Sequence, residues 1–269
     1  MTRKLHRAPA AFLAIALAGA LFALPQSGFA LAPSTGAIAQ AQRDNPATNA
    51  AMAKLNKSQF KDVRATVENG IATLTGRVSL YEYKADAAKR VLRARGVSAV
   101  RNQIEVAGAA IPDRELQQKL VEELQYDRVG YGNVFNAISV EVRDGVAILG
   151  GHAQDYPDRD SAVALTATTP GVKDLVDNIE VDPVSQMDWE TRIAVARAVY
   201  GYPTLNRYAL DPAKPIRISV QNGHVSLYGM VDSQADKDTA FLRANGVPGV
   251  FSVKNYLQVA NQPTETPRK

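Results

Sequence analysis

The chain of 269 residues contains no cysteine, so it can form no disulfide, present no thiolate to a metal or substrate, and carry no lipid on a cysteine after export. Histidine is nearly absent too. His6 lies in the basic N-terminal stretch, while His152 and His224 have no partner at metal-ligand or triad spacing and read as surface residues. The Gly-rich pieces Gly130-Tyr131-Gly132 and Gly150-Gly151 lack the lysine or following helix of a phosphate-binding loop. The paired acids Asp158 with Asp160, and Asp236 with Asp238, fall where carboxylates favour a helix N-terminus and read as caps. No catalytic, cofactor-binding or metal-binding residue is expected, and the protein is not expected to be an enzyme. The apolar run Ala11 to Leu24 has only 14 residues, short for a membrane span.

That run follows the basic stretch Thr2-Arg3-Lys4-Leu5-His6-Arg7 and precedes the small-residue sites Gly28-Phe29-Ala30 and Ala30-Leu31-Ala32. This is the layout of a secretory signal peptide over residues 1–30, with cleavage expected between Ala30 and Ala41. The alternative is an uncleaved anchor. Removing residues 1–30 takes away Arg3, Lys4 and Arg7, leaving 28 basic against 27 acidic residues, so the sequence pI of 9.2 largely reflects the signal. A global basic field for nucleic acid or anionic membrane is not supported, although local patches such as Lys84, Lys89, Arg90, Arg93 and Arg95 remain. The mature chain is expected to be periplasmic, unlipidated and without a transmembrane segment. It should open with a flexible leader at 31–46 and close with a flexible tail at 261–269.

What the chain does have is repetition. Val67 to Gly76 (V-E-N-G-I-A-T-L-T-G) returns as Val142 to Gly151 (V-R-D-G-V-A-I-L-G-G) and Val220 to Gly229 (V-Q-N-G-H-V-S-L-Y-G). Gly70, Gly145 and Gly223 keep register with Gly76, Gly151 and Gly229, and with Gly96, Gly171 and Gly249, which marks three copies of one module. Asn69-Gly70, Asp144-Gly145 and Asn222-Gly223 are type I′ turn pairs between alternating runs, so each copy holds a β-hairpin. Across the turns Val67 should face Ala72 and Ala65 face Leu74, with Val142/Ala147, Val140/Leu149, Val220/Val225 and Ile218/Leu227 repeating the apolar face.

Helical patterns flank each hairpin. Asp113 is expected to cap a helix bearing Leu116, Leu120, Val121 and Leu124, and Asp188 one bearing Ile193, Ala196, Val199 and Tyr200; Met52 and Leu55 mark a weaker first helix. Second helices are predicted over 82–95, 157–168 and 234–245, then last strands over 97–106, 172–181 and 250–259. The fold class is α+β: three tandem αββαβ modules over 47–108, 112–183 and 187–260, each a three-stranded mixed sheet with two helices on one face. Units of this size sit near the lower limit for an independent core, so neighbours should pack together.

The run G-x-[AV]-x-L-x-G followed by G-V-x-x-V-x-N resembles the BON domain, a family of bacterial envelope modules. The third copy carries it in Gly223, Val225, Leu227, Gly229 and Gly249 to Asn255, the first in Gly70, Ala72, Leu74, Gly76 and Gly96 to Asn102. The second departs, with Asp177 where Asn102 and Asn255 stand. The resemblance implies binding to phospholipid or contacts at the cell envelope, under osmotic or envelope stress, and brings no catalytic motif. The nine register glycines have a structural reading, as turns and close helix–sheet approaches.

One difference between copies bears on contact residues. The second copy has a longer loop before its hairpin, with Tyr126, Arg128, Tyr131 and Phe135, and the third has Tyr202, Arg207 and Tyr208 in the same place. Rings interleaved with arginine suit lipid headgroups, and they equally suit packing between modules. With Lys89, Arg90 and Arg93 of the first copy they are the candidate contact residues. Phospholipid headgroups are the expected partner; the alternative is an envelope protein bound without direct lipid recognition.

Overall fold

The computed structural model describes residues 45–108, 110–126, 134–183, 185–211 and 214–260. The expected signal peptide, most of the leader and the tail lie outside them. The first module runs α1 (Pro46–Ala53), β1 (Val63–Glu68), β2 (Ile71–Val78), α2 (Tyr81–Val91) and β3 (Ala99–Val106). The second runs α3 (Asp113–Tyr126), β4 (Ala137–Arg143), β5 (Val146–Ala153), α4 (Tyr156–Thr168), β6 (Asp174–Asp177) and β7 (Glu180–Val181). The third runs α5 (Gln186–Tyr200), α6 (Arg207–Leu210), β8 (Arg217–Gln221), β9 (His224–Tyr228), β10 (Met230–Val231), α7 (Gln234–Asn245), β11 (Ser252–Asn255) and β12 (Gln258–Val259). The architecture is mixed α+β, as the sequence implies.

Each hairpin turns through two left-handed residues, for example Asn69 at φ 50° and Gly70 at φ 79°. Antiparallel pairing then sets Val67 against Ala72, Val142 against Ala147 and Val220 against Val225. The last strand joins in parallel alongside the second strand of each hairpin, because the intervening helix supplies the crossover. One sheet face is buried: Val63, Ala65, Val67, Ala72 and Leu74 pack with Ala87 and Val91 of α2 in the first module. Ile218, Val220, Val225 and Leu227 pack with Ala240 and Ala244 of α7 in the third.

Three local expectations are corrected. The last strand is continuous only in the first module; in the others its pairing lapses opposite Gly151 and Gly229, giving β6 with β7 and β11 with β12. At the interruption the Asp177 and Asn255 side chains accept the backbone N–H two residues on, from Ile179 and Leu257. Second, α2 ends at Val91 rather than Arg95. Third, Asp113 and Asp188 do not cap their helices. The cap of α5 is Ser185, while both Asp188 carboxylate oxygens accept from the turn, Asn222 N–H at 2.9 Å and Gly223 N–H at 2.8 Å. Asp113 clasps Asp144 and Gly145 in the same way, so each aspartate ties an opening helix to the tip of its hairpin.

The modules also join one another. Tyr81 at the start of α2 and Ile111 of the first linker pack on Leu116, Leu120, Val142, Ala147 and Val172 of the second module, and Lys84 Nζ pairs with Asp174 at 2.9 Å. Phe135, from the segment before β4, is fully buried in the core of the third module beside Val195, Val199 and Leu205.

Candidate functional site

The candidate contact residues separate sharply once their surroundings are known. Arg128 and Tyr131 lie outside the described residues, and Tyr126 is the last residue of α3. Phe135 takes the packing alternative, being buried across the junction of the second and third modules. Tyr208 is buried as well. Its hydroxyl donates to Asp236 Oδ2 at 3.0 Å and accepts from the Asp232 N–H at 2.7 Å. Arg207 is half exposed, but its guanidinium is held by Asp232 at 3.2 Å and by Asp236, so its charge is already matched within the fold. Tyr202 is on the surface, with the Arg243 guanidinium 5.5 Å above its ring. The Tyr/Arg loop of the third module is thus a clasp on the N-terminus of α7.

The basic helix of the first module is different. Arg90 pairs with Asp86 at 2.7 Å and Lys84 with Asp174, which removes two of its cations. Lys89, Arg93 and Arg95 are exposed and make no hydrogen bond or ion pair among the described residues. Lys89 lies in the last turn of α2 and Leu92 and Arg93 in the turn that follows it, where Leu92 is 50% exposed. The carbonyl end of the helix favours cations there. A signal for this patch was present in the sequence: residues 45–108 hold eleven Lys and Arg against five Asp and Glu, residues 112–183 six against fourteen, and residues 187–260 eight against six. The near-zero total conceals a cationic first module and an acidic second one.

A second cluster was not anticipated. Asp182, on the linker into the third module, is fully buried and accepts from Ser219 Oγ at 3.0 Å, Gln221 Nε2 at 2.9 Å and Arg192 at 3.0 Å. Arg192 is itself buried, bonded to the Val220 carbonyl, and lies 5.8 Å from the Phe135 ring. His152 of β5 is mostly buried rather than on the surface, with Nδ1 3.5 Å from Asp182 and 3.1 Å from Gln221 Nε2. Burial pushes the Asp182 carboxyl up, but bonds from His152, Gln221 and Ser219 and the Arg192 charge outweigh it and hold the group below the usual carboxylate range. The hydrogen bond to Asp182 raises His152 against its own burial, with the Asp182 and Glu180 charges assisting. These groups couple the second module to the third. They form no catalytic constellation, because the acid is consumed by internal partners. Among the described residues no group of three or more His, Cys, Asp or Glu could hold a metal ion. None of the described helices is long and apolar enough to cross a membrane.

Tandem α+β modules, each a left-handed-turn hairpin joined to a parallel third strand by a crossover helix, define the class. The BON domain family model matches residues 43–108, 112–183 and 204–261, and the chain belongs to that family. Among curated proteins, it is 30% identical over 132 residues to osmotically-inducible protein Y of Escherichia coli (strain K12), covering 45% of this chain and 61% of that one. The chain therefore spans about three fifths of the length of that relative. Similar solved structures include the C-terminal domain of CdsD, the structural protein of the Type III secretion system of Chlamydia trachomatis. That match is 18% identical, covers 79% of this chain and 96% of that one, and has a TM-score of 0.22. The periplasmic domain of the inner membrane protein PrgH from S. typhimurium is 9% identical, with coverage of 78% and 99% and a TM-score of 0.18.

Proposed function

We propose that this is an exported, non-catalytic envelope protein whose first BON module rests on anionic phospholipid headgroups through the last turn of α2 and the turn that follows it. The observation that carries the reading is the trio Lys89, Arg93 and Arg95, charged, exposed and without an ion pair among the described residues, around the half-exposed Leu92. A cation without an ion pair gives up no protein contact by moving to a phosphate, whereas Arg207 would have to break two ion pairs first. Each Lys or Arg at an anionic surface contributes about 1 kcal/mol, and a leucine beside them can enter the headgroup boundary. Export rests on the signal-peptide layout of residues 1–30, and the osmotically-inducible relative agrees with a role in envelope stress.

Vesicle flotation tests this. The chain should float with anionic vesicles, less so as salt rises, and stay down with zwitterionic ones. Replacing Lys89, Arg93 and Arg95 together by glutamine should lower partitioning by roughly a hundredfold, from about 3 kcal/mol lost. Flotation that ignores salt, or that survives the triple substitution, would remove lipid recognition from this helix.

A further inference from the structure

The three modules repeat their buried sheet faces, but their open faces differ. Tyr228 and Tyr256 of the third stand where the second has Gly150 and Asn178 and the first has Thr75 and Gln103. Their chain neighbours Leu227 and Leu257 fill the core, so the two tyrosines lie on the other face and do not serve it. That face is made concave by the second module: His152 Nδ1 lies 3.1 Å from Gln221 of β8, and Glu180 stands beside it. The result is a groove of ≈ 590 Å³, which falls in the range of small-molecule sites, ~300–1,000 Å³.

The groove offers two kinds of contact side by side. Tyr228 and Tyr256 stack with ring centroids 5.1 Å and planes 11° apart, and Tyr256 is still 51% exposed. An aromatic face in water is a favourable surface for C–H groups, because the face is its electron-rich side. Two residues before Tyr256, Lys254 is exposed and its ammonium makes no ion pair among the described residues. Lys254 is in register with Ser226, and Ser252 with His224, whose Nδ1 lies 2.8 Å from the Ser252 hydroxyl oxygen. Hydroxyls and an imidazole therefore surround a cation beside an aromatic surface. The one exposed acid, Glu180, enters from the second module on the β8 side, whereas Lys254 is on the outer strand β11, so an anion is drawn to the β11 side.

We propose that this groove binds an anionic pyranose sugar. The C–H face of the ring lies on Tyr256, its carboxylate or phosphate meets Lys254, and its hydroxyls exchange hydrogen bonds with Ser226, Ser252 and Glu180. Both halves of the site are needed for this ligand. A neutral sugar leaves Lys254 without a counter-charge, and a phosphate on an open chain has no ring face to lay against the tyrosine. The site belongs to the third module and uses none of the cations of the first.

Saturation-transfer NMR titration of the intact chain with glucuronic acid, glucose 1-phosphate, glucose and glycerol 3-phosphate reads this directly. At least one of the two sugar acids should bind about tenfold or more tighter than glucose and than glycerol 3-phosphate, the gain typical of a charge-assisted hydrogen bond. Which of them binds tells a carboxylate ligand from a phosphate one. Lys254→Gln should remove the preference for the acid, and Tyr256→Ala should weaken the sugar acid by about three- to tenfold. Both side chains are exposed, so thermal melts of the variants should match the native chain. No binding of either acid at millimolar concentration, glucose or glycerol 3-phosphate bound as tightly as the sugar acids, or binding that neither substitution moves would overturn the proposal.

Discussion

Asp182→Ala should be among the most damaging single changes to the junction of the second and third modules. The carboxylate has no exposure to water, and its main partner Arg192 is 4% exposed. Truncating the acid leaves a buried guanidinium with only the Val220 carbonyl and the Phe135 ring, and takes an acceptor from Ser219 and Gln221. Breaking a buried pair from one side costs about 3–5 kcal/mol, because the remaining charge stays desolvated. Removing both charges, as in Asp182→Ala with Arg192→Met, leaves no orphan, so the double variant should recover much of the loss. The molecule carries its own reporter: Trp189, the single tryptophan, meets Phe135 edge-on with ring centroids 5.8 Å apart across the junction. Urea unfolding followed by Trp189 fluorescence should show a much lower midpoint for Asp182→Ala and an intermediate one for the double variant. A loss below about 1 kcal/mol, or a double variant as weak as the single one, would refute the claim that an orphaned Arg192 is the source of the cost.

The same fluorescence should report two further effects. His152 is raised above its ordinary 6.5, so its contribution is fully present below that value and is lost as pH rises through the higher folded one. Asp182 is lowered below 3.8, so its contribution is present above 3.8 and is lost as pH falls through the lower folded value. The junction should therefore be tightest between these limits; the Trp189-detected midpoint should be higher at about pH 5.5 than at about pH 8, and His152→Gln should flatten that difference. Gly151→Ala should destabilise the second module by at least about 2 kcal/mol in thermal or urea melts, because at φ 83° an added Cβ runs into the Ala137 carbonyl.

Much of the fold was legible because its signals are local. Asn-Gly and Asp-Gly pairs impose left-handed turn residues, a turn of two residues fixes the register, and period-two alternation then assigns each side chain to a face. The α7 range and the Val67/Ala72, Val142/Ala147 and Val220/Val225 pairings follow from that chain of reasoning. Apart from the end of α2, a local helix boundary, the corrections concern nonlocal contacts. Asp113 and Asp188 look like caps because an acid before an apolar helical run usually is one; that they serve hairpin tips more than thirty residues away is visible only in space. His152 looked like a surface residue because its neighbours in sequence are small, while the groups that enclose it, Asp182 and Gln221, come from later segments.

The candidate contact surface divides along the same line. The aromatic-arginine loops have a composition that fits either headgroups or packing, and composition does not contain the partner. Arg207 is matched by Asp232 and Asp236, and Phe135 is buried in a neighbouring module, whereas Lys89, Arg93 and Arg95 have no ion pair among the described residues. The sequence by itself determined the repeat, the hairpins and the family, because turn chemistry and alternation act over a few residues. Only the tertiary structure decided how the modules join, which charges are spent inside the molecule and which remain free. Those outcomes depend on groups brought within a few ångströms by packing, and that proximity is not encoded at any fixed spacing along the chain.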